Sequence, residues 1–237
     1  CLSSSKESFN YLKKLGSKKV KFLGNLKFTQ TEKKNDIIKK NLKDFIKKKI
    51  IWCASSTHFN EEIICGNIHK YLKKNYKNLL TIIIPRHINR VKAIKKDLNN
   101  LGLNVHLDEP KCKIEKNTDI YLLNTYGKTR SFYANCKNVF LGGSLINHGG
   151  QNPLEAARYG CNILHGKYIS NFQEIYKFLN SNQISHSIKT NNTLIKKLIH
   201  LFSKKNNNSS KFKNKINYIG KEILNNTKKE INLFLKK

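Results

Sequence analysis

Residues 141–155 contain two glycine pairs, followed by the motif Asn152-Pro153-Leu154-Glu155. Asn152 is a favoured helix N-cap, and Pro153 suits the first helical position, where no N–H group is needed. Glycines let the backbone N–H groups of a loop approach a ligand closely, and a helix N-terminus favours an anion. The stretch predicts either an anion-binding loop or an ordinary connection between a strand and a helix, and alone it does not separate the two.

Arginine is rare in this chain, and half of its arginines lie in one turn after the predicted strand 79–84. Lys and Arg total 46, and only the residues at 86, 90, 130 and 158 are arginine. Arg presents a planar fork that matches a phosphate group, whereas Lys presents a point charge. We interpret Arg86 as a phosphate ligand in preference to a solvated residue, because open α/β sheets bind ligands beyond the carboxyl ends of their strands. For the adjacent His87, a ligand role and a role as a helix cap or packing residue both stay open.

Lys27 lies in the segment Gly24-Asn25-Leu26-Lys27-Phe28, which follows a short apolar run. The net charge is +31, so composition alone favours an ordinary surface lysine over a cation placed for chemistry. A charge this high also predicts attraction to nucleic acid or anionic lipid. The abundance of Lys, Asn and Ile indicates a compositional drift, which can create that attraction without selection for it.

The six cysteines and eight histidines show neither C-x-x-C nor H-x₃-H spacing. Cysteines in apolar runs behave as small hydrophobic residues, so we expect reduced core thiols rather than disulfides or a metal site. No apolar run reaches the ~18 residues of a membrane helix, and no signal-peptide pattern opens the chain. The chain begins at Cys1 and contains no Met, so we expect a piece of a longer chain or the product of an interrupted gene.

Strands and helices alternate from residue 50 onward, and the strands are apolar throughout. This pattern predicts an α/β fold with a Rossmann-like parallel sheet of about six strands and flanking helices. Strands are expected at 20–23, 50–54, 79–84, 103–107, 120–123, 138–141 and 162–164, with a weaker one at 184–188. Helices are expected before Gly16 and at 31–49, 60–75, 129–135, 171–179, 190–203 and 211–235. Another is expected to be opened by residues 85–90 and to end at 101, and a further one to begin at Asn152.

We divide the chain into three segments. Residues 1–49 are a connecting segment with a first strand and helix, 50–203 a nucleotide-binding Rossmann-like domain, and 211–237 a basic C-terminal helix. A flexible polar link is expected at 204–210. Ser and Thr before Glu61 and Glu62 predict N-terminal capping of the helix at 60–75.

Every unusual motif follows the carboxyl end of a predicted strand. These motifs are residues 55–58, 85–90, 124–128 and 142–155. Because such ends lie at one edge of a parallel sheet, we expect the loops to converge on one crevice. The convergence predicts a nucleotide or sugar-phosphate site without specifying which.

The same motifs, in the same order, resemble the donor-binding half of the 3-deoxy-D-manno-octulosonic acid (Kdo) transferases of lipopolysaccharide synthesis. The likeness covers about residues 1–200, and the motifs are specific in combination although each alone is weak. The matching pieces are Gly24-Asn25-Leu26-Lys27-Phe28, Trp52-x-Ala54-x-Ser56-Thr57-His58, Glu61-Glu62, Pro85-Arg86-His87-x-x-Arg90, Gly142-Gly143-Ser144-Leu145, Gly149-Gly150-x-Asn152-Pro153-Leu154-Glu155 and Asn171-Phe172.

The resemblance implies the C-terminal domain of a GT-B glycosyltransferase that moves Kdo from CMP-Kdo to a lipid A precursor, lipid IVA, without metal or cofactor. It implies that three loops bind CMP: Pro85-Arg86, Tyr126-Gly127-Lys128 and Asn152-Pro153-Leu154-Glu155. Arg86 and the helix start at Asn152 would face the phosphate, and Glu155 would accept hydrogen bonds from ribose or base. Lys27 matches a family lysine near the departing phosphate, and its surface and phosphate roles both stay open.

The chain departs from the family pattern at two positions. Lys128 stands where an acidic residue is usual, and Asn60 replaces a usual glycine. The resemblance also places the catalytic glutamate base, the acceptor surface and the membrane anchor in an N-terminal half that this sequence does not match. We therefore expect no catalytic base in this chain, and binding of CMP or CMP-Kdo without turnover.

The partners that the resemblance implies are the CMP-Kdo donor, the lipid A precursor, the N-terminal acceptor-binding domain and an anionic membrane surface, with no specific nucleic acid. The implied location is the cytoplasmic face of the bacterial inner membrane, with peripheral attachment. Two other interpretations stay open. One is a GT-B donor domain for a UDP-sugar, and the other is a non-catalytic basic module whose binding to nucleic acid or membrane collapses with salt.

Overall fold

The computed structural model describes residues 1–29, 38, 40–109, 113–204 and 209–235. The chain forms two compact units. The first consists of Cys1–Lys34 together with Asn208–Lys237, and the second of Asn35–Asn207. The two terminal segments of the chain thus fold with each other, and the predicted nucleotide-binding segment 50–203 lies within the second unit.

The first unit begins with a small β-α-β arrangement. Its elements are β1 (Leu2–Ser3), α1 (Lys6–Lys14), β2 (Lys21–Phe22), a 3₁₀ turn at Leu26–Thr29 that contains Lys27, and the C-terminal helix α9 (Ser209–Leu235). β1 and β2 pair in parallel. The predicted helix end at Gly16 is confirmed, because this glycine has φ +85° directly after the C-cap Leu15.

Helix α9 packs within the first unit through one face, on which Ile216, Ile223 and Thr227 are buried. At Gly220 a Cβ atom would overlap the Phe28 carbonyl, so glycine permits close contact there. The helix begins two residues before the predicted start, and residues 205–208 of the predicted polar link lie outside the described part. In the segments that the structure describes, no helix has the length and apolar content needed to cross a membrane.

Seven parallel strands form the sheet of the second unit, one more than predicted, and the Rossmann-like fold is confirmed. The strands are β3 (Ile50–Thr57), β4 (Leu79–Pro85), β5 (Val105–Leu107), β6 (Ile120–Leu122), β7 (Asn138–Leu141), β8 (Asn162–His165) and β9 (Ser185–Ser187). Their order in the sheet is β5-β6-β4-β3-β7-β8-β9. On one side of β3 the chain reaches the edge strand β5 before β6 fills the place between β5 and β4, and on the other side β7, β8 and β9 follow in sequence order.

The helices of the second unit are α2 (Lys40–Lys47), α3 (Glu61–Lys73), α4 (Val91–Asn100), α5 (Thr129–Tyr133), α6 (Leu154–Arg158), α7 (Gln173–Ser181) and α8 (Asn191–Ser203). Short 3₁₀ turns precede α4 at Ile88–Arg90 and α7 at Ser170–Phe172. The predicted helix 31–49 is seen only as α2, and residues 30–37 and 39 of that prediction lie outside the described part.

Alternate residues of β3 face opposite sides of the sheet, as the period of a strand requires. Trp52 and Ala54 belong to a core cluster that includes Leu72 of α3, Leu98 of α4 and Leu198 of α8. Burying each large apolar side chain contributes about 1.5–3 kcal/mol, so this cluster holds helices against the sheet.

Cysteines are free thiols wherever the structure describes them. Cys53, Cys65, Cys136 and Cys161 are buried, which confirms the expected core thiols. Cys1 is exposed, and residue 112 lies outside the described part.

Strand β3 continues three residues past its predicted end. Ser55 pairs with Ile84 of β4 and with Leu141 of β7, and Thr57 pairs with Pro85, so part of the predicted loop 55–58 is strand. The register shifts between Ser55 and Thr57, where Ser56 adopts φ +56°. This bulge lies at the carboxyl end of the strand that is flanked by β4 and β7.

Candidate functional site

The loops after β3, β4 and β7 meet at the carboxyl edge of the sheet. Strand β3 lies between β4 and β7 and is the point from which the chain runs in two directions. In open α/β sheets, ligands bind in the crevice outside such a switch point. The predicted convergence of motifs is therefore found for these three loops.

Three imidazoles, one from each loop, meet at this edge. The ring centroid of His58 lies 4.0 Å from that of His148 and 5.8 Å from that of His87. Gln151 Nε2 lies 3.2 Å from His58 Nε2. Because an amide nitrogen donates, this contact makes Nε2 the lone-pair nitrogen of a neutral His58.

The electrostatics of the site agree with a neutral His58. Burial, together with nearby imidazoles and guanidinium groups, lowers the pKa of His58 to about 4. These neighbours are His148, His87, Arg86 and Arg90. All of them are cationic or can become so, and therefore the surroundings of His58 favour an anion.

The Glu61 carboxylate links the loop after β3 to the loop after β7 through hydrogen bonds. This buried carboxylate accepts hydrogen bonds from the N–H groups of His58 (2.9 Å), Gly143 (2.7 Å), Ser144 (3.2 Å) and Leu145 (3.1 Å). Burial raises the pKa of Glu61 above its ordinary value, although these four donors oppose the shift. The N–H groups of Gly143, Ser144 and Leu145 therefore bind a side chain of this chain. This part of residues 141–155 has a structural role and does not offer these donors to a ligand.

Asn60 explains one departure from the family pattern. It lies at the N-cap position of α3 with φ +69°, a left-handed conformation that glycine and asparagine adopt most easily. Its side chain forms no capping hydrogen bond, and neither Ser nor Thr caps the helix, so the predicted capping is wrong. The Glu61 carboxylate, which accepts the His58 N–H, shapes this turn instead.

Glycine is required at the second pair, because Gly149 has φ +90° and Gly150 has φ +75°. The Gly150 N–H donates to the Gly143 carbonyl at 2.9 Å. Asn171 supports the same loop: its N–H donates to the Gly149 carbonyl at 3.1 Å, and its side-chain amide donates to the His148 carbonyl at 3.2 Å. These contacts hold His148 beside His58.

Arg86 projects from the loop after β4. Its N–H donates to the Thr57 carbonyl at 2.9 Å, and its side chain is exposed. Within the described residues its guanidinium makes no ion pair, whereas Arg90 pairs with Glu62 at 3.0 and 3.1 Å and lies over the Phe59 ring. Arg86 is therefore available for a ligand and Arg90 is committed to the protein.

Helix α6 begins later than predicted. Leu154 is its first residue and Pro153 its N-cap, and the Asn152 side chain accepts the Leu154 N–H at 3.1 Å. The predicted N-cap at Asn152 is therefore wrong by one residue, and Pro153 does not occupy the first helical position, although the Asn152 side chain still accepts an N–H group of the first turn. A helix of five residues sums few peptide dipoles, so its N-terminus attracts an anion only weakly.

Glu155 forms an ion pair with Arg130, for which the sequence predicts no role. Arg130 Nε donates to Glu155 Oε1 at 2.6 Å, and about a third of each side chain is exposed. This contact joins α5 to α6. It places a guanidinium beside the carboxylate that was predicted to contact ribose or base.

The loop after β6 contributes the exposed ring of Tyr126 and a lysine, Lys128, whose side chain is engaged in an ion pair. The Tyr126 side chain is 63% exposed, and open space surrounds Gly127 at φ +84°. The Lys128 ammonium forms an ion pair with buried Asp108, which also accepts the Tyr121 hydroxyl at 2.7 Å. The Lys128 side chain is therefore held by the protein, and only its backbone remains for the predicted ligand contact.

The structure does not place the remaining predicted site residue, Lys27, in this crevice. Lys27 belongs to the 3₁₀ turn of the first unit and stays a prediction. Across the described part of the chain, no group of three or more His, Cys, Asp and Glu side chains is arranged to hold a metal ion. A groove of about 400 Å³ in the first unit contains none of the predicted site residues, and it is lined by Asn225, Lys228, Lys229, Asn232 and Leu233.

Three side chains of the site carried no assignment from the sequence: His148, Gln151 and Arg130. Arg130 is one of four arginines, and that rarity was a usable signal. His148 and Gln151 flank the second glycine pair within residues 141–155, but nothing in the sequence indicates that they meet His58.

Comparison with known proteins gives consistent relatives. No family model matches the chain. A 3-deoxy-D-manno-octulosonic acid transferase of Aquifex aeolicus is 29% identical over 201 residues, which cover 85% of this chain and 53% of that protein. The transferase of the same name from Haemophilus influenzae is 33% identical over 129 residues, covering 54% of this chain and 30% of that protein.

A bifunctional glycosyltransferase/methyltransferase of Fusobacterium nucleatum is 32% identical over 231 residues, covering 90% of this chain and 35% of that protein. The chain thus spans between 30% and 53% of the length of these three relatives.

Solved structures share the fold. The C-terminal CMP-Kdo binding domain of WaaA from Acinetobacter baumannii gives a TM-score of 0.63 at 22% identity and covers 76% of this chain and 91% of that one. The UDP co-structure of S. aureus MnaA gives 0.56 at 15% identity and covers 98% of this chain and 60% of that one. The fold class is that of GT-B glycosyltransferase C-terminal domains.

Proposed function

The chain is a homologue of the 3-deoxy-D-manno-octulosonic acid transferases, and on that basis we propose that it is the donor-binding half of a glycosyltransferase that uses CMP-Kdo. The proposed acceptor is a lipid A precursor, lipid IVA, at the cytoplasmic face of the bacterial inner membrane. Further proposed partners are an acceptor-binding domain and the anionic membrane surface. Support comes from the names of the relatives and from the CMP-Kdo binding domain that shares the fold.

The main structural support is the cationic crevice at the switch point of the sheet. Arg86 stands there without an ion pair among the described residues, beside the imidazoles of His58, His87 and His148. A guanidinium can donate two parallel hydrogen bonds to a phosphate. In our proposal Arg86 binds the CMP phosphate and stabilises the negative charge that grows on it as CMP leaves.

The nucleoside would lie between the loops after β6 and β7. Tyr126 offers an exposed ring, and Gly127 leaves room for close approach of a ligand. Asn152-Pro153-Leu154-Glu155 would form the opposite wall, with Glu155 accepting hydrogen bonds from ribose or base while Arg130 orients its carboxylate. Pro85 would shape the phosphate side by ending β4.

Catalysis of the whole transfer needs more than donor binding. An inverting transfer requires a base that takes the proton of the acceptor hydroxyl. The relatives extend well beyond the matched region, and we assign the base to that further region. Lys27 is the residue of the first unit that we propose as a second cation for the phosphate.

Isothermal titration with CMP, UMP and cytidine tests the donor assignment. We expect CMP to bind more tightly than UMP, and cytidine to bind poorly because it lacks the phosphate. Arg86→Ala should weaken CMP binding by about 10–150-fold, the equivalent of the ~1.5–3 kcal/mol of a hydrogen bond to a charged group. Lys92→Ala on α4 removes the same charge from an exposed position and should leave the affinity unchanged.

Each rival function has its own outcome. A preference for UMP would indicate a UDP-sugar donor. Binding that collapses with salt, shows no base preference and ignores Arg86→Ala would indicate a basic module on nucleic acid or membrane. Kdo transfer to lipid IVA by residues 1–237 alone would contradict the assignment of the base to a further region.

A further inference from the structure

We propose that His58, His87, His148 and Arg86 form one anion site that takes up a proton when it binds the phosphodiester of a nucleotide-linked sugar. This inference rests on the proposed function and adds to it the identity and protonation of the phosphate-binding groups. The ligand class is a phosphodiester or phosphomonoester attached to a nucleoside.

Geometry first limits the positive charge that the imidazoles can hold. The His58 and His148 rings are tilted by 41° with centroids 4.0 Å apart, so two positive charges on them would repel strongly. Gln151 donates to His58 Nε2, which fixes a neutral ring. The protein alone therefore disfavours a state in which His58 and His148 are both protonated.

The acids near the cluster do not compensate its charge. The Glu61 carboxylate accepts four backbone N–H groups. Glu62 is engaged by Arg90 in a two-bonded ion pair. The groups that face His58 are the two other imidazoles, two guanidinium groups, the Gln151 amide and the Glu61 carboxylate that binds its N–H. The one carboxylate among these described groups is engaged by backbone N–H groups and contacts none of the three rings, so an anionic ligand would supply the counter-charge.

An anion placed between the rings favours the protonated form of an imidazole. The ligand and the proton then bind together, and thermodynamic linkage makes the affinity rise as the pH falls. The gain reaches about tenfold per pH unit for each proton taken up. A protonated cluster would also face the phosphate when the bond from its oxygen to the sugar breaks and the electron pair remains on that oxygen.

The test measures proton uptake directly. We would titrate the chain with the 5′-methyl phosphodiester of cytidine, whose single charge does not change between pH 6 and 8. Measurements in two buffers that differ in heat of ionisation give the number of protons bound. We expect uptake of roughly half a proton at pH 7, and an affinity that rises about 10-fold from pH 8 to pH 6.

Exposed positions supply variants that should fold. His148→Gln and His87→Gln change exposed side chains and should each reduce the uptake and weaken binding about 3- to 10-fold at pH 6. The loss should be smaller at pH 8, where proton uptake contributes less to binding. His200→Gln at the end of α8 is the matched control and should bind like the parent at both pH values.

Two results would overturn the proposal. One is binding of the diester without proton uptake. The other is uptake that survives in the double variant of His87 and His148. In either case, CMP binding that still depends on Arg86 would leave the proposed function intact. Failure of CMP and the diester to bind at any pH would instead remove both.

Discussion

Two buried histidines lie at opposite ends of the same sheet, and their surroundings differ in charge. At the amino end, His69 of α3 contacts Thr81 Oγ1 through Nδ1 at 2.8 Å and Asp119 Oδ1 through Nε2 at 3.3 Å. At the carboxyl end, His58 faces other imidazoles, guanidinium groups and the Gln151 amide. One histidine has an acid from its own chain as a partner, and the other lacks such a partner for its ring among the described residues.

The amino-end network is complete within the protein. Asp119 also accepts hydrogen bonds from the Lys73 ammonium and from the Asn104 N–H, the latter at 3.0 Å. Burial alone would raise the pKa of Asp119, but its hydrogen bonds to His69, Lys73 and Asn104 hold that pKa well below its ordinary value. Thr81, His69 and Asp119 follow the order of a catalytic triad, but all three are buried, so a substrate cannot reach them.

The contrast separates groups that stabilise the fold from groups that await a ligand. A polar network whose members satisfy one another contributes to stability, and removing one member leaves the others buried and unpaired. A cluster of like charges gains its partner only on binding. The two ends of the sheet should therefore respond to mutation in opposite ways.

The largest effect should come from Asp119→Ala at the amino end. It should lower the free energy of unfolding by roughly 3 kcal/mol, because His69 and the Asn104 N–H lose a buried charged partner. Urea denaturation measures this change, and CMP affinity of the folded variant should match the parent. Asp44→Ala, which breaks an exposed ion pair with Lys47, should cost less than about 0.5 kcal/mol. A similar small loss for Asp119→Ala would remove the distinction between the two ends.

Glu61→Gln should act on both stability and binding. The glutamine retains one carbonyl oxygen and presents an NH₂ group to N–H donors, so we expect a loss of roughly 2 kcal/mol in unfolding free energy. The released loop at Gly143 should also weaken CMP binding, since it carries His148 and Gln151. The same substitution at exposed Glu115 is the control for both assays. Normal CMP affinity in a destabilised Glu61→Gln would mean that the loop holds its shape without this carboxylate.

The smallest expected effect is in the pH dependence of unfolding. Because the folded pKa of Asp119 is depressed, its contribution is present above the unfolded value near 3.9 and is lost as the pH falls below that value. The difference in unfolding free energy between the parent and Asp119→Asn should therefore shrink by roughly 1 kcal/mol from pH 5 to pH 3. Urea titrations at several pH values measure it. A constant or growing difference would show that Asp119 does not titrate in this way.

Much of the fold was predictable because the strands are continuous apolar runs. The centre of the sheet, including β4, follows from such runs, and Gly16 marks the end of α1 through its left-handed conformation. The end of β3 was not predictable, because Ser55 and Thr57 are polar and their strand conformation depends on pairing with β4 and β7. Tertiary pairing overrides local propensity there.

The site was predictable as a meeting of loops, but not as a set of contacts. Pairs such as Arg130–Glu155 and Lys128–Asp108 join residues 25 and 20 positions apart, and residue types alone do not define them. From the sequence, Glu61 is interpreted as an acid in the first turn of a capped helix. In the structure its carboxylate binds the loop at Gly143, which is distant in sequence. Positions after strand ends are fixed by topology, while side-chain partners are fixed by packing.

The Glu61–Gly143 hydrogen bond, which joins residues 82 positions apart, also bears on how the molecule assembles. Strands β3 and β4 are neighbours in sequence and in the sheet, so they can pair early, whereas the loop at Gly143 reaches Glu61 only after β7 has docked on the other side of β3. Contacts between distant residues form late because loop closure costs entropy first. During refolding, the crevice is therefore completed after the helices, and recovery of CMP binding would report the finished sheet rather than its local secondary structure.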